Sequence, residues 1–105
     1  MGASQRNKGA RNERSIVNEL REHALDAKRV PLSGALGGEL AGDIWVPVQG
    51  ARRVFEAKKR AAGFKQIYDW LGTHFGLFIG ADRRETLVVL RLSDFAKLIS
   101  DATPA

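Results

Sequence analysis

The sequence contains no cysteine, a single tyrosine and only three prolines among its 105 residues. Without thiols, disulfides and thiolate zinc sites are excluded, so any metal ion would be held by oxygen ligands or by the two histidines, His23 and His74. No apolar run approaches the roughly 20 residues of a membrane-spanning helix, and the N-terminus lacks the apolar core of a signal peptide. These absences predict a cytoplasmic protein that does not insert into membranes.

The length and composition are those of one globular domain. Hydrophobic residues make up 44% and charged residues 28% of the chain, which is ordinary for a soluble protein. A chain of 105 residues can bury one modest core. We therefore expect a single domain over residues 1–105. Residues 1–9 are small, polar and basic, which predicts a mobile basic arm.

Positive charge is concentrated in the N-terminal part of the chain. Residues 1–65 contain thirteen of the 17 lysines and arginines but only seven of the 12 acidic residues. Basic residues surround Glu56 in particular: Arg52, Arg53, Lys58, Lys59, Arg60 and Lys65. Such a run can be a solvated face that maintains solubility. Its clustering around one predicted strand favours a surface that binds nucleic acid.

Hydrophobic periodicity predicts the first elements. Apolar residues recur at three- and four-residue steps from residue 11 to 27, which indicates an amphipathic helix. Residues 28–32 predict a short strand, in which Pro31 marks an edge or a strand end. The four glycines of residues 33–42 indicate a flexible loop.

The rest of the chain alternates between strands and helices. Strands are predicted over residues 43–48 and 52–59, joined by a turn at Gln49-Gly50. A helix over 63–74 is expected to direct five apolar residues to the core: Phe64, Ile67, Trp70, Leu71 and Phe75. Strands at 76–81 and 86–92 and a helix at 94–100 follow. The order α-β-β-β-α-β-β-α predicts an α/β fold with a mixed β-sheet flanked by helices.

The segment RVFEAKKR, residues 53–60, places a carboxylate and an ammonium group in a strand-like run. Because side chains alternate along a strand, Glu56 and Lys58 are expected on one face, roughly 7 Å apart. The predicted hairpin carries Asp43 opposite Glu56 or Ala57. These residues could therefore share one site, and the alternative is an ordinary surface ion pair between Glu56 and Lys58.

A third carboxylate lies on the first predicted helix. Glu13 precedes Ile16 by three residues and Val17 by four, so it continues the apolar stripe. The alternative is an ordinary acid in a first helical turn, where the helix dipole favours it. If Glu13 converges with Asp43 and Glu56, their repulsion would be relieved by a divalent cation. Oxygen ligands suit Mg²⁺ or Mn²⁺.

Several motifs resemble a known nuclease superfamily. GD at 42–43, followed after the hairpin by EAK at 56–58, resembles the PD-(D/E)XK signature with glycine in place of the usual proline. Within that superfamily, the segments KGARNERSIVNEL, RVPLSGA, GDI and FEAKKR are similar to archaeal-type Holliday junction resolvases and their phage-borne relatives. The resemblance covers roughly residues 8–72. It implies a restriction-endonuclease-like version of the predicted fold.

The resemblance also implies roles for individual residues. Glu13, Asp43 and Glu56 match the metal-binding carboxylates, and Lys58 matches the catalytic lysine. Ser33, otherwise an ordinary loop residue, matches a serine near the scissile phosphate, and Tyr68 is similar to a polar residue on the following helix. The residues predicted to contact DNA are Lys8, Arg11, Arg14, Arg29, Arg52, Lys59, Arg60, Lys65 and Gln66.

These features predict a metal-dependent, structure-selective DNA endonuclease, most concretely a Holliday junction resolvase. One alternative is a nicking or restriction-like nuclease that acts on other DNA. Another is a non-catalytic DNA-binding module with the same fold, which would have no use for acidic residues facing DNA.

A homodimer is expected, because a four-way junction is cut on two opposing strands. The apolar segment 87–92 predicts the interface, together with Phe78, Phe95 and Leu98. Alternatively, this strand lies at the centre of the monomer's own sheet.

Overall fold

The computed structural model describes residues 2–30 and 43–102. Ser33 and the glycine-rich segment 34–42 lie outside the described residues, as does the side chain of Lys8. The elements are α1 (Gly2–Glu22), β1 (Lys28–Arg29), β2 (Ile44–Val48), β3 (Ala51–Phe55), α2 (Lys65–Leu71), β4 (Gly76–Ile79), β5 (Leu87–Leu90) and α3 (Leu92–Ala102). The predicted order of elements is confirmed.

The strands form two antiparallel sheets. Sheet A has the order β1-β2-β3, and sheet B pairs β4 with β5. The prediction of one mixed sheet is therefore wrong for the described part of the chain. Strands that follow one another through short turns pair as antiparallel hairpins. The order of elements alone does not specify whether the edges of two such hairpins join.

The β2–β3 hairpin has the predicted turn. Gln49 and Gly50 both have positive φ, 52° and 83°, which is the requirement of a two-residue type I′ turn. Ile44 then pairs with Phe55. One further step along this register brings Asp43 opposite Glu56 without a bulge.

The core lies between the inner face of sheet A and two helices. It is formed by Val17 and Leu20 of α1, Leu25, Ala27, Ile44, Val46, and Ala96 and Ile99 of α3. At its margin the rings of Phe55 and Phe95 pack edge to face, 5.8 Å apart. None of the helices in the described residues has the length and apolar character needed to cross a membrane.

The bounds of α1 differ from those predicted. The helix begins at Gly2 rather than at residue 11, because an apolar stripe marks only the part of a helix that packs against a core. It ends at Glu22 rather than at residue 27. Ala24 adopts a left-handed φ of 64°, and the amide of Leu25 donates to the carbonyl of Leu20. These are features of a Schellman cap, which terminates the helix.

The second helix is shorter than predicted and buries fewer residues. α2 has only seven residues, of which Leu71 is buried. Trp70 and Phe75 are 54% and 60% exposed, so their predicted place in the core is wrong. A helix of two turns presents only one narrow face to the interior. Trp70 does not lie on that face, and Phe75 lies beyond the end of the helix.

Candidate active site

The open end of the β2–β3 hairpin brings two of the predicted site residues together. The amide of Asp43 donates to the carbonyl of Phe55 at 2.9 Å. In return, Asp43 Oδ2 accepts a hydrogen bond from the amide of Ala57 at 2.8 Å. This second bond fixes the chain immediately after Glu56, where β3 has already ended. The carboxylate of Asp43 therefore positions the segment that carries Glu56 and Lys58.

The carboxylate of Asp43 affects the ionisation of Glu56. The pKa of Glu56 is raised above its ordinary value, first because its side chain hydrogen bonds to Asp43 and next because the Asp43 charge repels it. Partial loss of solvent raises this pKa further, the positive charge of Lys58 lowers it, and Glu13 adds a weaker repulsion. Two acids so placed carry excess negative charge that a cation can relieve.

Lys58 lies beside this pair of acids. Its Nζ is 3.9 Å from Glu56 Oε1, and the two side chains are 67% and 58% exposed. An ion pair this exposed contributes little to folding stability. Its ammonium group is therefore accessible to a negatively charged substrate next to the carboxylates.

Glu13, the predicted third acid, has a different partner. Its Oε1 accepts a hydrogen bond from Arg29 Nε at 3.0 Å, and the Glu13 side chain is only 14% exposed. Over residues 2–30 and 43–102, no three acidic or histidine side chains form a ready set of metal ligands. The structure thus pairs Asp43 with Glu56 and Glu13 with Arg29. A metal-binding role for Glu13 stays a prediction.

The Glu13–Arg29 pair gives a testable stability difference. Arg29→Met leaves the mostly buried Glu13 carboxylate without this donor and is expected to lower the free energy of unfolding by about 1 kcal/mol, a value discounted because Arg29 is 40% exposed. Urea denaturation measures it. The control is Arg53→Met, an exposed arginine on β3, for which less than about 0.5 kcal/mol is expected. Equal stability of the two variants would contradict a stabilising contact between Glu13 and Arg29.

A cleft of about 510 Å³ opens beside Glu56 and Lys58. We call it the active-site cleft. Its polar rim is formed by Asn12, Ser15 and Glu19 of α1 and by Glu56, Lys58 and Lys59 after β3. Its floor is apolar and includes Ile16, Phe55 and Phe95, and Tyr68 of α2 contributes to its wall. The cleft thus joins the predicted catalytic groups to a largely apolar space.

The other residues predicted to bind DNA are distributed around the molecule. Arg11 and Arg14 line a second groove, of about 630 Å³, along α1. The Arg52 guanidinium lies 4.2 Å from the centre of the Trp45 ring. Arg52 is four residues from Glu56, about 13 Å along a strand.

Two further predicted contacts lie near α2. Arg60 approaches the Phe64 ring at 5.9 Å, and Lys65 Nζ lies 2.6 Å from Asp69 Oδ2. Gln66 is exposed. Of all the basic residues predicted to bind DNA, only Lys59 also lines the active-site cleft within the described residues.

The sequence was also compared with known proteins. Residues 4–73 match the model of a family described as "phage putative PDDEXK endonuclease". The match covers 70 of the 105 residues. The chain belongs to this family. No curated protein and no solved structure matches it.

Membership of the PDDEXK endonuclease family confirms the resemblance to PD-(D/E)XK nucleases of phage type. The matched segment contains Glu13, Asp43, Glu56 and Lys58. The family match does not extend to junction resolution in particular, and the restriction-endonuclease-like fold stays a prediction.

PD-(D/E)XK nucleases generally use divalent metal ions, so the donor groups of this chain can be tested for fit. Asp43 and Glu56 offer carboxylate oxygens, which suit hard cations such as Mg²⁺ and Mn²⁺. The hydrogen bond to Asp43 and, next, the repulsion between the two carboxylates raise the pKa of Glu56, and a bound cation would relieve that repulsion. The pair therefore fits such an ion in both ligand type and charge.

Asn12 and Ser15 of the cleft rim were missed by sequence reasoning. Asn12, Ser15 and Glu19 follow one another at three- and four-residue steps, so they share one face of α1 beside its apolar stripe. That spacing could have identified them. Their presence in the same cleft as Lys58 depends on how α1 lies over sheet A, which the sequence does not specify.

Proposed function

We propose that this chain is a divalent-metal-dependent endonuclease that hydrolyses phosphodiester bonds in DNA. The observation that carries the proposal is the arrangement at the hairpin end. Asp43 and Glu56 are adjacent, and Lys58 lies 3.9 Å from Glu56. A hydrogen bond from Ala57 to Asp43 holds this arrangement.

In the proposed reaction a water oxygen forms a bond to phosphorus and the bond between phosphorus and the 3′-oxygen breaks, which leaves a 5′-phosphate and a 3′-hydroxyl. Asp43 and Glu56 would hold the cation, which when bound neutralises phosphoryl charge and makes water more acidic. Lys58 orients the attacking water or stabilises the negative charge that develops on the phosphate. The water proton is lost to solvent, and the 3′-oxygen gains one.

We further infer that the substrate is branched DNA and, most concretely, a four-way junction. The support is the similarity of the segments around Glu13, Asp43 and Glu56 to junction resolvases. Basic residues on separate parts of the surface, such as Arg14, Arg52 and Lys59, suit a substrate whose arms diverge.

A panel of labelled DNA tests both the activity and the substrate. Four-way junction, flap and linear duplex are incubated with Mg²⁺, Mn²⁺ or EDTA, and the products are resolved on denaturing gels. We expect cleavage with either metal ion, none with EDTA, and the fastest cleavage on the junction. Lack of cleavage of every substrate would contradict the nuclease proposal, whereas equal rates on junction and duplex would contradict only the junction preference.

Sheet B supports the predicted homodimer. Phe78 pairs with Val88 across the two strands, and these side chains are 79% and 58% exposed. Within the described residues β5 pairs only with β4, so its alternative place at the centre of the monomer's sheet is wrong. Leu87 and Leu98 are also exposed, at 61% and 48%. Phe95, by contrast, packs against the core.

We propose that two copies associate through the face of sheet B that carries Phe78 and Val88, because an exposed apolar patch of this kind marks an interaction surface. Light scattering at micromolar concentration is expected to give the mass of a dimer. Phe78→Arg should give monomers, whereas Trp70→Arg, at an exposed aromatic residue of α2 outside sheet B, should remain dimeric. A monomeric wild-type protein, both free and on junction DNA, would contradict the dimer and favour a nicking enzyme.

A further inference from the structure

The active-site cleft has a composition that phosphodiester hydrolysis does not require. Hydrolysis uses the groups at its rim, Glu56 and Lys58, yet the cleft continues inward over an apolar floor. Its volume of about 510 Å³ is within the range of small-molecule sites. A phosphate group has no favourable interaction with such a floor. The cleft therefore suits an apolar, planar part of the substrate that is attached to the phosphate.

We propose that this cleft holds a nucleobase that has left the DNA stack, while the adjacent phosphate lies at Glu56 and Lys58. The proposal rests on the proposed nuclease function and adds how the substrate is selected. Within the described residues, Phe55 provides an aromatic surface in the floor, and the Tyr68 ring, 74% exposed, stands at the wall. Bases stack on such side chains whatever their sequence.

The polar groups around the cleft match the remaining parts of a nucleotide. Asn12 and Ser15 on α1 can donate to and accept from the edge of a base, and the carboxylate of Glu19 can accept from its amino group. Lys58 and Lys59, which follow β3 and also line the cleft, can contact the flanking phosphates. This charge arrangement favours a nucleotide over an uncharged apolar ligand.

The occupant determines which DNA is cut. A base in an intact duplex must lose its stacking and pairing before it enters the cleft, whereas an unpaired, mismatched or branch-point nucleotide has already lost much of both. The enzyme would therefore prefer DNA with accessible bases beside the scissile phosphate. It would do so without reading the base sequence.

Obstruction of the cleft tests the proposal. Ser15→Trp places a large side chain at the exposed rim, and Asn18→Trp, one turn along α1 and outside the cleft lining, is the matched control. The substrate is a junction in which the nucleotide beside the mapped scissile phosphate is either thymidine or a tetrahydrofuran abasic analogue. The measured quantity is the cleavage rate in Mg²⁺.

We expect Ser15→Trp to cut the thymidine junction at least about tenfold more slowly than wild type, since a stacked base contributes roughly that factor or more. On the abasic junction the cleavage rates of Ser15→Trp and wild type should agree within about threefold, because no base then competes with the new side chain. Asn18→Trp should match wild type on both. Equal slowing of Ser15→Trp on both junctions would overturn the proposal.

A binding measurement tests base capture independently of the proposed nuclease activity. A short oligothymidylate with one central 2-aminopurine is titrated in EDTA, so that base capture is reported even if no DNA is cut. The emission change at saturation is expected to be at least about threefold smaller for Ser15→Trp and for Tyr68→Ala than for wild type, and unchanged for Tyr68→Phe and Asn18→Trp. The same emission change in Ser15→Trp as in wild type would overturn base capture, whether or not the protein is a nuclease.

Discussion

Glu56→Gln is expected to slow DNA cleavage by about 10³-fold and to change DNA affinity by less than about threefold. Glutamine preserves the shape of the side chain and removes its charge, so the proposed cation loses a ligand. DNA affinity depends on lysines and arginines, and none of these is altered. Single-turnover cleavage of junction DNA and a binding titration in EDTA measure the two quantities.

Stability gives a second and independent readout for Glu56→Gln. The raised pKa of Glu56 shows that its ionised form is disfavoured in the folded chain, chiefly by Asp43. A neutral glutamine removes the repulsion that exists above the ordinary carboxyl pKa, so the variant should melt at or above the wild-type temperature at pH 7. Loss of activity then cannot be attributed to unfolding.

The control for this prediction is Glu85→Gln, at an exposed glutamate between β4 and β5. It removes the same charge outside the proposed site and is expected to leave both cleavage and binding unchanged. If Glu56→Gln cleaved DNA at the wild-type rate, Glu56 would not be an active-site residue. A large loss of affinity would instead assign it a role in binding.

The pairing of Asp43 with Glu56 could be predicted from the sequence, because its determinants are local. Gln49 and Gly50 specify a two-residue turn, and such a turn fixes the register of both strands. The contact between Glu13 and Arg29 could not be predicted in this way. These residues are 16 positions apart, and their meeting depends on how α1 packs against β1.

Sequence periodicity gave the order of elements but not the arrangement of the strands. Each hairpin is specified by its own turn, whereas the separation of sheet B from sheet A depends on interactions between edges that carry no sequence pattern of their own. Hydrophobicity was likewise an incomplete guide to burial. Trp70 and Phe75, both predicted in the core, are more than half exposed, and large apolar side chains at a surface can serve association or binding instead of the core.

Two substitutions at Asp43 are expected to separate its charge from its hydrogen bond. Asp43→Asn removes the charge but keeps an oxygen that can accept from the amide of Ala57, whereas Asp43→Ala removes both. Because each variant abolishes the repulsion between Asp43 and Glu56, that contribution cancels when the two are compared. Both are expected to cleave DNA about 10²- to 10³-fold more slowly than wild type, since each lacks a proposed ligand for the cation.

The two Asp43 variants should differ in stability, because only alanine leaves the partly buried amide of Ala57 without its acceptor. We expect Asp43→Ala to be less stable than Asp43→Asn by about 1 kcal/mol in urea denaturation. Equal stability would show that the bond from Ala57 does not hold the chain after β3. If Asp43→Asn cleaved DNA at the wild-type rate, the negative charge of Asp43 would not be needed for the reaction. The expected combination, an inactive but stable asparagine variant, would assign two roles to one carboxylate, cation binding and the positioning of Glu56 and Lys58.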